Sequence, residues 1–444
     1  MRVIIIGAVA AGMSAAAKLK RMKPEYEVVV YEKTDVVSFG ACGLPYFAAG
    51  YFDNAGDMIA REPSKFREIG IDLNIHHEVI KVDAVDKKVV VKNLETNVEI
   101  EDSYDKLMIA TGASSIIPPI KNVNLENVTT LKTLEDGIKL KELLNKDENK
   151  NVAIIGAGFI GIETVEAVKK LGKEVVMFQS QNRILPKTFD SEITNVLEEE
   201  LKKHDVNLRL EEFVLELVGE TKVEKIITNK GEYKVDVVVI ATGVRPNTTF
   251  LKETGIEMLA NGALIVDEFG ETSIKDIYAA GDCATIKNII TNEDSYIPLA
   301  TGANKLGRIV GENLAGANKA FQGSLGSSCI KVMDMEAAVT GMTELQAQSL
   351  GINYKAKFIS DFNQTNYYPG RDKIYVKLVY DADTKVILGG QVAGFKDSVQ
   401  RCNVIATAIF SKMTVSQLGM LDLCYAPPFS RTWDVLNVAG NVCK

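Results

Sequence analysis

The chain has 444 residues, of which 46% are hydrophobic and 25% are charged, and its formal net charge is −8 at pH 7. That length allows two or three domains, and the acidic balance argues against a general binder of nucleic acids or anionic membranes. No apolar run approaches the ~18 residues of a membrane span, and the N-terminus enters a strand without a leader pattern, so the sequence predicts a cytoplasmic protein.

The N-terminal stretch has the pattern of a dinucleotide-binding unit. A strand at 2–6 is followed by a turn, a helix of small side chains at 13–19 and a second strand at 28–31 that ends at Glu32. Such a turn lets the backbone approach a pyrophosphate at the helix N-terminus, while the acid accepts hydrogen bonds from a ribose hydroxyl. The turn residues assigned to this site are Gly7, Val9, Ala10, Ala11 and Gly12. A valine therefore stands where the pattern expects its middle glycine.

A cysteine follows this unit, in the stretch Ser38-Phe39-Gly40-Ala41-Cys42-Gly43-Leu44-Pro45-Tyr46. Residues 44–50 are predicted to be helical, which puts the Cys42 thiol at a helix N-terminus, where the helix dipole favours the thiolate. We therefore interpret Cys42 as the reactive centre of the protein.

None of the six cysteines forms a C-x-x-C or another short metal-type pair, so no metal site is expected. Scattered cysteines in a large chain without secretion signals are usually reduced and buried. We expect this of four or five of the six.

The dinucleotide pattern recurs in the middle of the chain. A strand at 151–155 leads into a turn with all three glycines, then into a helix, and a further strand follows at 175–178. One unit can hold a tightly bound flavin nucleotide and the other a nicotinamide nucleotide, which we assign as FAD and NAD(P)H respectively. The residues assigned to the nicotinamide site are Gly156, Gly158, Phe159, Ile160, Gly161 and Glu163.

The strand of the second unit ends at Gln179, where the pattern often has an acid. A carboxylate at this position would repel a 2′-phosphate and favour NADH. Gln179 does not, and Ser180 and Arg183 are close by in the sequence, so NADPH is acceptable too. The choice between NADH and NADPH stays open, with use of both compatible with these residues.

Two strand-then-turn segments match each other, one ending in Ala110-Thr111-Gly112 and the other at Gly243. Their glycines let the chain leave a sheet sharply. Because each segment comes near the end of a nucleotide-binding stretch, we interpret both as crossovers between the two nucleotide-binding domains.

A further strand ends in Gly281-Asp282 before a predicted helix. The aspartate can bind a ribitol hydroxyl of a flavin, and the glycine allows close approach. The next helix begins at Pro298-Leu299-Ala300, and its N-terminus can stabilise negative charge on a reduced flavin.

From about residue 324 short alternating strands surround two helical stretches, which predicts an α+β domain without a nucleotide signature. It carries Tyr367 and Tyr425 beside proline segments, and their hydroxyls either face a pocket or cap a dimer interface. The predicted fold class is α/β, with two Rossmann-like nucleotide-binding domains (FAD and NAD(P)) and a C-terminal α+β dimerisation domain. The predicted segments are 1–118 for the first part of the FAD-binding domain, 119–245 for the NAD(P)-binding domain, 246–322 for the second part of the FAD-binding domain, and 323–444 for the dimerisation domain.

Cys42 has no neighbouring cysteine in the sequence, since the next one is Cys283. The second sulfur of a redox cycle must therefore come from a substrate, or Cys42 must cycle through a sulfenic acid. The C-terminal domain contains no histidine to shuttle protons. Tyr367 and Tyr425 are then the available proton donors, or stabilisers of a leaving thiolate.

Over its whole length the chain resembles the coenzyme A-disulfide reductase branch of the flavin-dependent pyridine nucleotide–disulfide oxidoreductases. The resemblance rests on the Cys42 stretch, both nucleotide turns, Ala279-Ala280-Gly281-Asp282 and the Tyr-Pro segments near the C-terminus. It implies a homodimer with one FAD per subunit, with NAD(P)H docking on one flavin face under Phe159. Cys42 would lie on the other face as a mixed disulfide with coenzyme A.

The resemblance also implies roles for further residues. The Cys42 thiolate would attack coenzyme A-disulfide, with Ser38 nearby and Tyr367 and Tyr425 of the partner subunit closing over the sulfur. Lys33 and Val79 are assigned to FAD. The residues assigned to the substrate are Ser38, Phe39 and Cys42, with Lys18, Arg21 and Arg61 as candidates for the coenzyme A phosphates.

Three alternatives remain open. NADH oxidases and peroxidases resemble this chain throughout but carry a histidine at the position of Ala10, so its absence favours thiol chemistry, although some reductases of this branch also reduce oxygen. Persulfide or polysulfide reductases often carry a fused sulfurtransferase domain, which we do not expect in a sequence that stops at Lys444. The third alternative is a flavin-bound redox sensor with little turnover.

Overall fold

The computed structural model describes residues 1–444. Up to residue 118 the chain alternates strands with helices. The strands are β1 (Arg2–Ile6), β2 (Glu27–Tyr31), β3 (Ile71–Asn74), β4 (His77–Asp83), β5 (Lys88–Asn93), β6 (Glu99–Ser103), β7 (Lys106–Ile109) and β8 (Ala113–Ser115), and the helices are α1 (Ala10–Met22), α2 (Leu44–Ala48) and α3 (Pro63–Glu68).

Residues 119–322 continue the alternation. The strands are β9 (Val128–Thr129), β10 (Asn151–Ile155), β11 (Glu174–Gln179), β12 (Asn207–Leu210), β13 (Val214–Val218), β14 (Lys225–Thr228), β15 (Glu232–Lys234), β16 (Val237–Ile240), β17 (Val244–Pro246), β18 (Ile277–Ala279), β19 (Ile286–Lys287) and β20 (Asp294–Ser295). The helices are α4 (Leu134–Leu144), α5 (Phe159–Lys170), α6 (Ser191–Lys203) and α7 (Ala300–Leu314).

Residues 323–444 form an antiparallel sheet with helices. Its elements are β21 (Ser328–Val332), β22 (Met335–Gly341), β23 (Tyr354–Phe362), β24 (Lys373–Asp381), β25 (Ile387–Gly394), α8 (Glu344–Ser349), α9 (Ser398–Phe410), α10 (Val415–Gly419) and α11 (Val435–Asn441). The sheet order is β21-β22-β25-β24-β23.

The first parallel sheet has the order β18-β7-β1-β2-β3. Its apolar strands are buried, as expected for a parallel sheet covered on both faces. The edge strand β18 and the helix α7 come from far along the chain, so this unit is discontinuous in sequence. Helix α7 packs directly on α1, and the glycines Gly307 and Gly311 allow this close approach. A Cβ atom at Gly307 would lie 2.5 Å from the Ala11 carbonyl oxygen, and one at Gly311 would lie 2.5 Å from that of Ala15.

The second parallel sheet, β12-β11-β10-β16-β9, is built from residues 128–240 without interruption. Between the two units β8 pairs antiparallel with β17. Beside this pair, the Thr111 hydroxyl donates to the Asn247 carbonyl at 2.8 Å, and the Asn247 amide donates back to the Thr111 carbonyl at 3.0 Å. The chain thus crosses between the units at the two segments where the sequence predicts crossovers.

A buried lysine fastens the C-terminal sheet to the second unit. Lys377 is 1% exposed, and its ammonium lies 2.7 Å from the Glu192 carboxylate, 2.5 Å from Glu344 and 3.4 Å from Asp190. Asp190 also accepts from the Gln391 side chain at 2.6 Å. Because a charge taken out of water needs such partners, this cluster fixes how the two parts pack.

The sheets and their order confirm the predicted fold class. The expectation that four or five of the six cysteines are buried is wrong. Only Cys283 and Cys402 are buried, Cys443 is intermediate, and Cys42, Cys329 and Cys424 are exposed. None of the helices combines the length and the apolar character needed to cross a membrane.

Candidate active site

The first nucleotide turn is shaped by backbone crowding. Gly7 has a φ of 104°, and a side chain there would collide with the Ala110 carbonyl. A side chain at Gly12 would collide with the Gly7 carbonyl. Val9 has a φ of −101° and a ψ of −136°, a conformation that needs no glycine. The valine therefore fits the turn, and the outer glycines are the ones the backbone requires.

Glu32 stands at the end of β2, as the fingerprint predicts. Its carboxylate is 7% exposed and accepts from the Ala8 backbone N–H at 2.8 Å and from the Thr34 N–H and hydroxyl at 2.9 Å. The acid is thus held beside the turn. Of the two other flavin assignments nearby, Lys33 is exposed, whereas the Val79 side chain is buried in the core, so Val79 offers a ligand only its backbone.

The second turn repeats this geometry with one difference. Gly156 has a φ of 107°, and a side chain at Gly161 would collide with the Gly156 carbonyl. A side chain at Gly158 would meet nothing within 4 Å. The space over Gly158 is therefore free for a ligand, with Phe159 and Ile160 opening α5 directly behind it.

Gln179 ends β11, and its amide donates to the Arg183 carbonyl at 3.3 Å. The Arg183 guanidinium donates to the Pro186 carbonyl at 2.8 Å, and Ser180 is exposed. No carboxylate takes the place of Glu32 in this unit, which leaves the position open to either nicotinamide nucleotide.

The Cys42 segment is anchored to the first turn. Cys42 lies in a 3₁₀ turn at Ala41–Gly43 that runs into α2. Ser38 has a φ of 51°, its N–H donates to the Ala8 carbonyl at 2.9 Å, and its own carbonyl accepts from the Ala60 N–H at 2.9 Å. A non-glycine residue in this region of φ is strained, as is common where a site fixes its backbone. The loop thus holds the thiol next to the nucleotide turn.

Electrostatics at Cys42 differ from the prediction. Although the residue is exposed, neighbouring atoms desolvate the sulfur, and this raises the pKa of the thiol. The Glu163 carboxylate raises it further, and the Lys132 ammonium opposes this. The prediction that the helix N-terminus favours the thiolate is wrong for this chain, because α2 is only one turn long and its dipole is outweighed.

Cys42 lies between the two nucleotide units. Its charge is coupled to Glu163 on α5 of the second unit and to Asp282 of the first. Burial, followed by repulsion from Glu166, raises the pKa of Glu163 to about 7. Glu166 is in turn paired with Lys331 of β21 at 2.5 Å. Glu163 thus has a raised pKa and lies close enough to Cys42 for its charge to raise the pKa of that thiol.

Asp282 and Gly281 lie where the sequence predicts a flavin contact. Gly281 has a φ of 89°, and a side chain there would approach the Ala11 Cβ to 3.1 Å. The Asp282 carboxylate pairs with Lys132 at 3.0 Å. Sequence reasoning missed Lys132, because a single lysine between a short strand and a helix carries no motif.

The N-terminus of α7 adjoins this position. Pro298 and Leu299 precede the helix, Ala300 is its first residue, and no side chain caps it. The first N–H groups of α7 are therefore available to an anion. Together with the first turn, Glu32 and Asp282, they form a cradle whose chemistry fits FAD.

The two predicted tyrosines come together. The hydroxyls of Tyr367 and Tyr425 are 3.2 Å apart, and the residues are 70% and 43% exposed. The hydrogen bond between the two hydroxyls raises the pKa of Tyr425. The pair lies on an exposed surface of the C-terminal part, and because each hydroxyl has a single O–H, one donates within the pair and the other is left to donate to a further acceptor.

The phosphate candidates are placed differently from one another. Lys18 pairs with the buried Glu312 at 3.1 Å, Arg21 is exposed in the last turn of α1, and Arg61 lies over the Phe66 ring at 5.1 Å. Phe39 bridges to Ile59 and is half-buried. Only Arg21 and Arg61 are fully open to a ligand.

Two dinucleotide turns that converge on one cysteine define an NAD(P)H-dependent flavoprotein oxidoreductase. Comparison with known protein families agrees. Residues 1–307 match the pyridine nucleotide-disulphide oxidoreductase family, and residues 327–435 match its dimerisation domain. The chain belongs to this family.

Three proteins that are similar to this chain carry different names. A protein of Pyrococcus horikoshii named NAD(P)H coenzyme A polysulfide/persulfide reductase is 40% identical over 100% of this chain and 98% of its own length. The structure of reduced Bacillus anthracis CoADR-RHD matches at 32% identity with a TM-score of 0.95, over 99% of this chain and 79% of that one. The NADH-bound water-forming NADH oxidase from Lactobacillus brevis also matches at 32% identity and a TM-score of 0.95, over 99% of this chain and 97% of that one.

Proposed function

We propose that this enzyme reduces a sulfur–sulfur bond of a coenzyme A derivative, with coenzyme A-disulfide as the first candidate substrate. The single observation that carries the proposal is the position of Cys42 between the two nucleotide units, with no second cysteine in its turn. A lone redox thiol either takes its partner sulfur from the substrate or cycles through a sulfenic acid, and the absence of a histidine at the position of Ala10 favours the first. The names of the Pyrococcus and Bacillus relatives support coenzyme A as the carrier of that sulfur.

Bound FAD supplies two-electron transfer between NAD(P)H and the Cys42 sulfur. The residues of the chain provide the exchange step. The Cys42 thiolate attacks one sulfur of the disulfide, the substrate S–S bond breaks, and a Cys42–S–S–CoA bond forms as coenzyme A leaves as a thiolate. Burial and the Glu163 carboxylate raise the pKa of Cys42, so the thiolate that attacks is the form that the surroundings of this thiol disfavour.

The proposal includes a homodimer in which Tyr367 and Tyr425 of one subunit reach the Cys42 of the other. The match to a dimerisation domain supports it, as do Phe429 and Trp433, whose rings are 64% and 50% exposed. In that arrangement the tyrosine pair donates a hydrogen bond to the leaving thiolate. Arg21 and Arg61 are the exposed cations proposed for the phosphates of coenzyme A.

A second candidate is reduction of coenzyme A persulfide or polysulfide. The Pyrococcus relative with that name matches over 98% of its own length. An extra sulfurtransferase domain is therefore no general mark of the activity, and the sequence argument against it falls. The same attack by Cys42 on a sulfur attached to coenzyme A would serve both substrates.

The first test is the intact mass of the purified protein under non-reducing, acid-denaturing conditions and again after thiol reduction. A loss of roughly 766 Da that maps to Cys42 is expected for a mixed disulfide with coenzyme A. Anaerobic NAD(P)H oxidation is then measured with coenzyme A-disulfide and with its persulfide, and separately with oxygen. Cys42→Ser should abolish turnover with both sulfur substrates, whereas Cys329→Ser, which removes another exposed thiol, should not. Turnover with oxygen alone would refute the proposal in favour of an oxidase.

A further inference from the structure

A buried ion pair lies beneath the two segments that carry the tyrosine pair. Arg401 of α9 is 8% exposed and Asp434, the N-cap residue of α11, is 6% exposed. The Arg401 Nε donates to the Asp434 carboxylate at 3.0 Å and its Nη2 donates to the same oxygen at 2.9 Å. A buried guanidinium needs such a partner and also acceptors for its remaining N–H groups, so the position of those acceptors decides which segments the arginine holds together.

The same guanidinium also binds both tyrosine segments. Its Nη2 donates to the Asn363 carbonyl at 3.2 Å and to the Phe429 carbonyl at 3.0 Å. Asn363 opens the loop that leads to Tyr367, and Phe429 closes the segment that begins with Tyr425. Nη2 therefore shares its two N–H groups among Asp434 and two backbones that are far apart in sequence, while Nε holds the guanidinium on Asp434. The ammonium of a lysine ends one bond short of Nη2 and lacks the separate Nε donor.

Each segment is stiffened between this anchor and its tip. Two hydrogen bonds between Asn363 and Asp372 close the base of the first loop. The Asp372 N–H donates to the Asn363 side-chain oxygen at 2.9 Å, and the Asn363 N–H donates to the Asp372 carbonyl at 3.0 Å. The Gln364 side chain, 2% exposed, donates to the Pro369 carbonyl at 2.8 Å inside it. On the other segment the Ser430 hydroxyl donates to Asp434 at 2.8 Å. A displacement at the base is therefore passed on to the tips.

The tips themselves have little other support. Tyr367 and Tyr425 are exposed, and between their segments the Thr365 hydroxyl donates to the Pro427 carbonyl at 3.3 Å, a long bond. The 3.2 Å separation of the tyrosine hydroxyls is thus set mainly by the contacts around Arg401 at the base of the two segments. Because hydrogen bonding falls off steeply with distance and angle, a small shift at the base would break it.

We propose that Arg401 is a positioning residue, which sets the geometry of the Tyr367–Tyr425 pair and so the hydrogen bond that this pair donates at the reacting sulfur. The inference rests on the proposed function, in which the pair closes over Cys42 of the partner subunit. Arg401 would thus act on the reaction only through the two tyrosines, since in this proposal it touches neither the substrate nor the cofactor.

The test is a double-mutant cycle on the dimeric holoenzyme with Arg401→Lys, Tyr425→Phe and the double variant. Stopped-flow measurements separate reduction of the enzyme by NADH from its reoxidation by the acceptor. Arg401→Lys should slow reoxidation roughly tenfold, since small misplacements of catalytic groups are costly, and leave reduction by NADH unchanged. Added to Tyr425→Phe, it should cause little further loss. Arg371→Lys is the matched control, an exposed arginine of the same loop that stacks on Phe362, and it should behave as wild type.

Multiplicative effects of the two substitutions, or equal slowing of both half-reactions, would overturn the inference. Should Arg401→Lys not fold, Asp434→Asn enters the same cycle, because it keeps an acceptor for the guanidinium and removes the charge. The cycle is run with whichever acceptor the wild-type enzyme uses, so an oxidase that ignores coenzyme A-disulfide refutes the proposed substrate and still tests Arg401. Normal reoxidation by Tyr425→Phe with every acceptor would refute the inference and the role proposed for the tyrosine pair, and would leave the proposed substrate standing.

Discussion

The two nucleotide turns of this chain agree where the backbone is crowded and differ where it is open. Gly7 and Gly156 have φ values of 104° and 107°, and each faces a carbonyl oxygen of a neighbouring strand end. At the middle position the first turn has Val9, whereas the second has Gly158 with free space around it. The outer glycines are therefore required by the fold, and the middle residue depends on what binds.

The difference extends beyond the turns. The strand of the first unit ends in the buried carboxylate of Glu32, and that of the second ends in the amide of Gln179. Helix α1 has no acid, whereas α5 carries Glu163 toward the cysteine. We therefore expect the first unit to hold its nucleotide tightly, and the second, with room at Gly158 and a titratable group at Glu163, to bind a nucleotide that exchanges.

The largest effects are expected at the shared glycines. Gly7→Ala and Gly156→Ala should each destabilise its own unit by roughly 3 kcal/mol or more, because each adds a clash with a carbonyl to an unfavourable φ. The first should yield protein without flavin, measured as the flavin-to-protein ratio after purification. The second should retain flavin and lose reduction by NAD(P)H. Equal behaviour of the two variants would contradict the division of labour between the units.

The next effect concerns the open middle position. Gly158→Val makes the second turn like the first, and because nothing lies within 4 Å its effect on stability should be small. It should still raise the KM for NAD(P)H about tenfold, or ~1.4 kcal/mol, by blocking backbone approach to the pyrophosphate. Val9→Gly is the reciprocal control and should change flavin retention little. An unchanged KM in Gly158→Val would show that the nucleotide does not approach this turn.

Glu163 allows the electrostatic difference to be tested. Its pKa of about 7 lies above the ordinary 4.5, so the folded state binds the proton more tightly than the unfolded state. Its contribution to stability is thus full below pH 4.5 and is lost as the pH rises through 7. The free energy of unfolding of the wild type should fall between acidic and alkaline pH by about 2 kcal/mol more than that of Glu163→Gln. This value allows for the partial solvation of the carboxyl group. Chemical unfolding without NAD(P)H at acidic and alkaline pH measures it, with the exposed Glu220→Gln as control; equal pH dependence in Glu163→Gln and wild type would refute the raised pKa.

The smallest expected effect is on nucleotide choice. Gln179→Asp makes the strand end of the second unit resemble that of the first, and should shift the ratio of kcat/KM values toward NADH over NADPH by several-fold, because the new carboxylate repels a 2′-phosphate. Gln179→Asn keeps the amide and serves as the control. A ratio that both variants leave unchanged would place the ribose elsewhere.

The regular parts of the fold could be predicted from the sequence because strand and turn patterns are local. The parallel strands agree within two residues, and α2 begins at Leu44 as expected. Strands β22 and β23 are not predicted from the sequence, although each pairs with its neighbour in the chain, β21 and β24 respectively. The sign of the Cys42 pKa shift was also missed, because it depends on Glu163 and Lys132, which approach only in three dimensions. The contacts of Arg401 could not be predicted either, because its partners are distant in sequence.

The discontinuous first sheet has a consequence for how the chain is made. Its edge strand β18 and covering helix α7 are the last parts of that sheet to leave the ribosome, after all of residues 128–240. The nucleotide unit that starts first therefore closes second, against the usual N-terminal-first order of cotranslational folding. During that interval the edge of β7 lacks the strand that pairs with it, and we expect this edge to be where the nascent chain is most open to association.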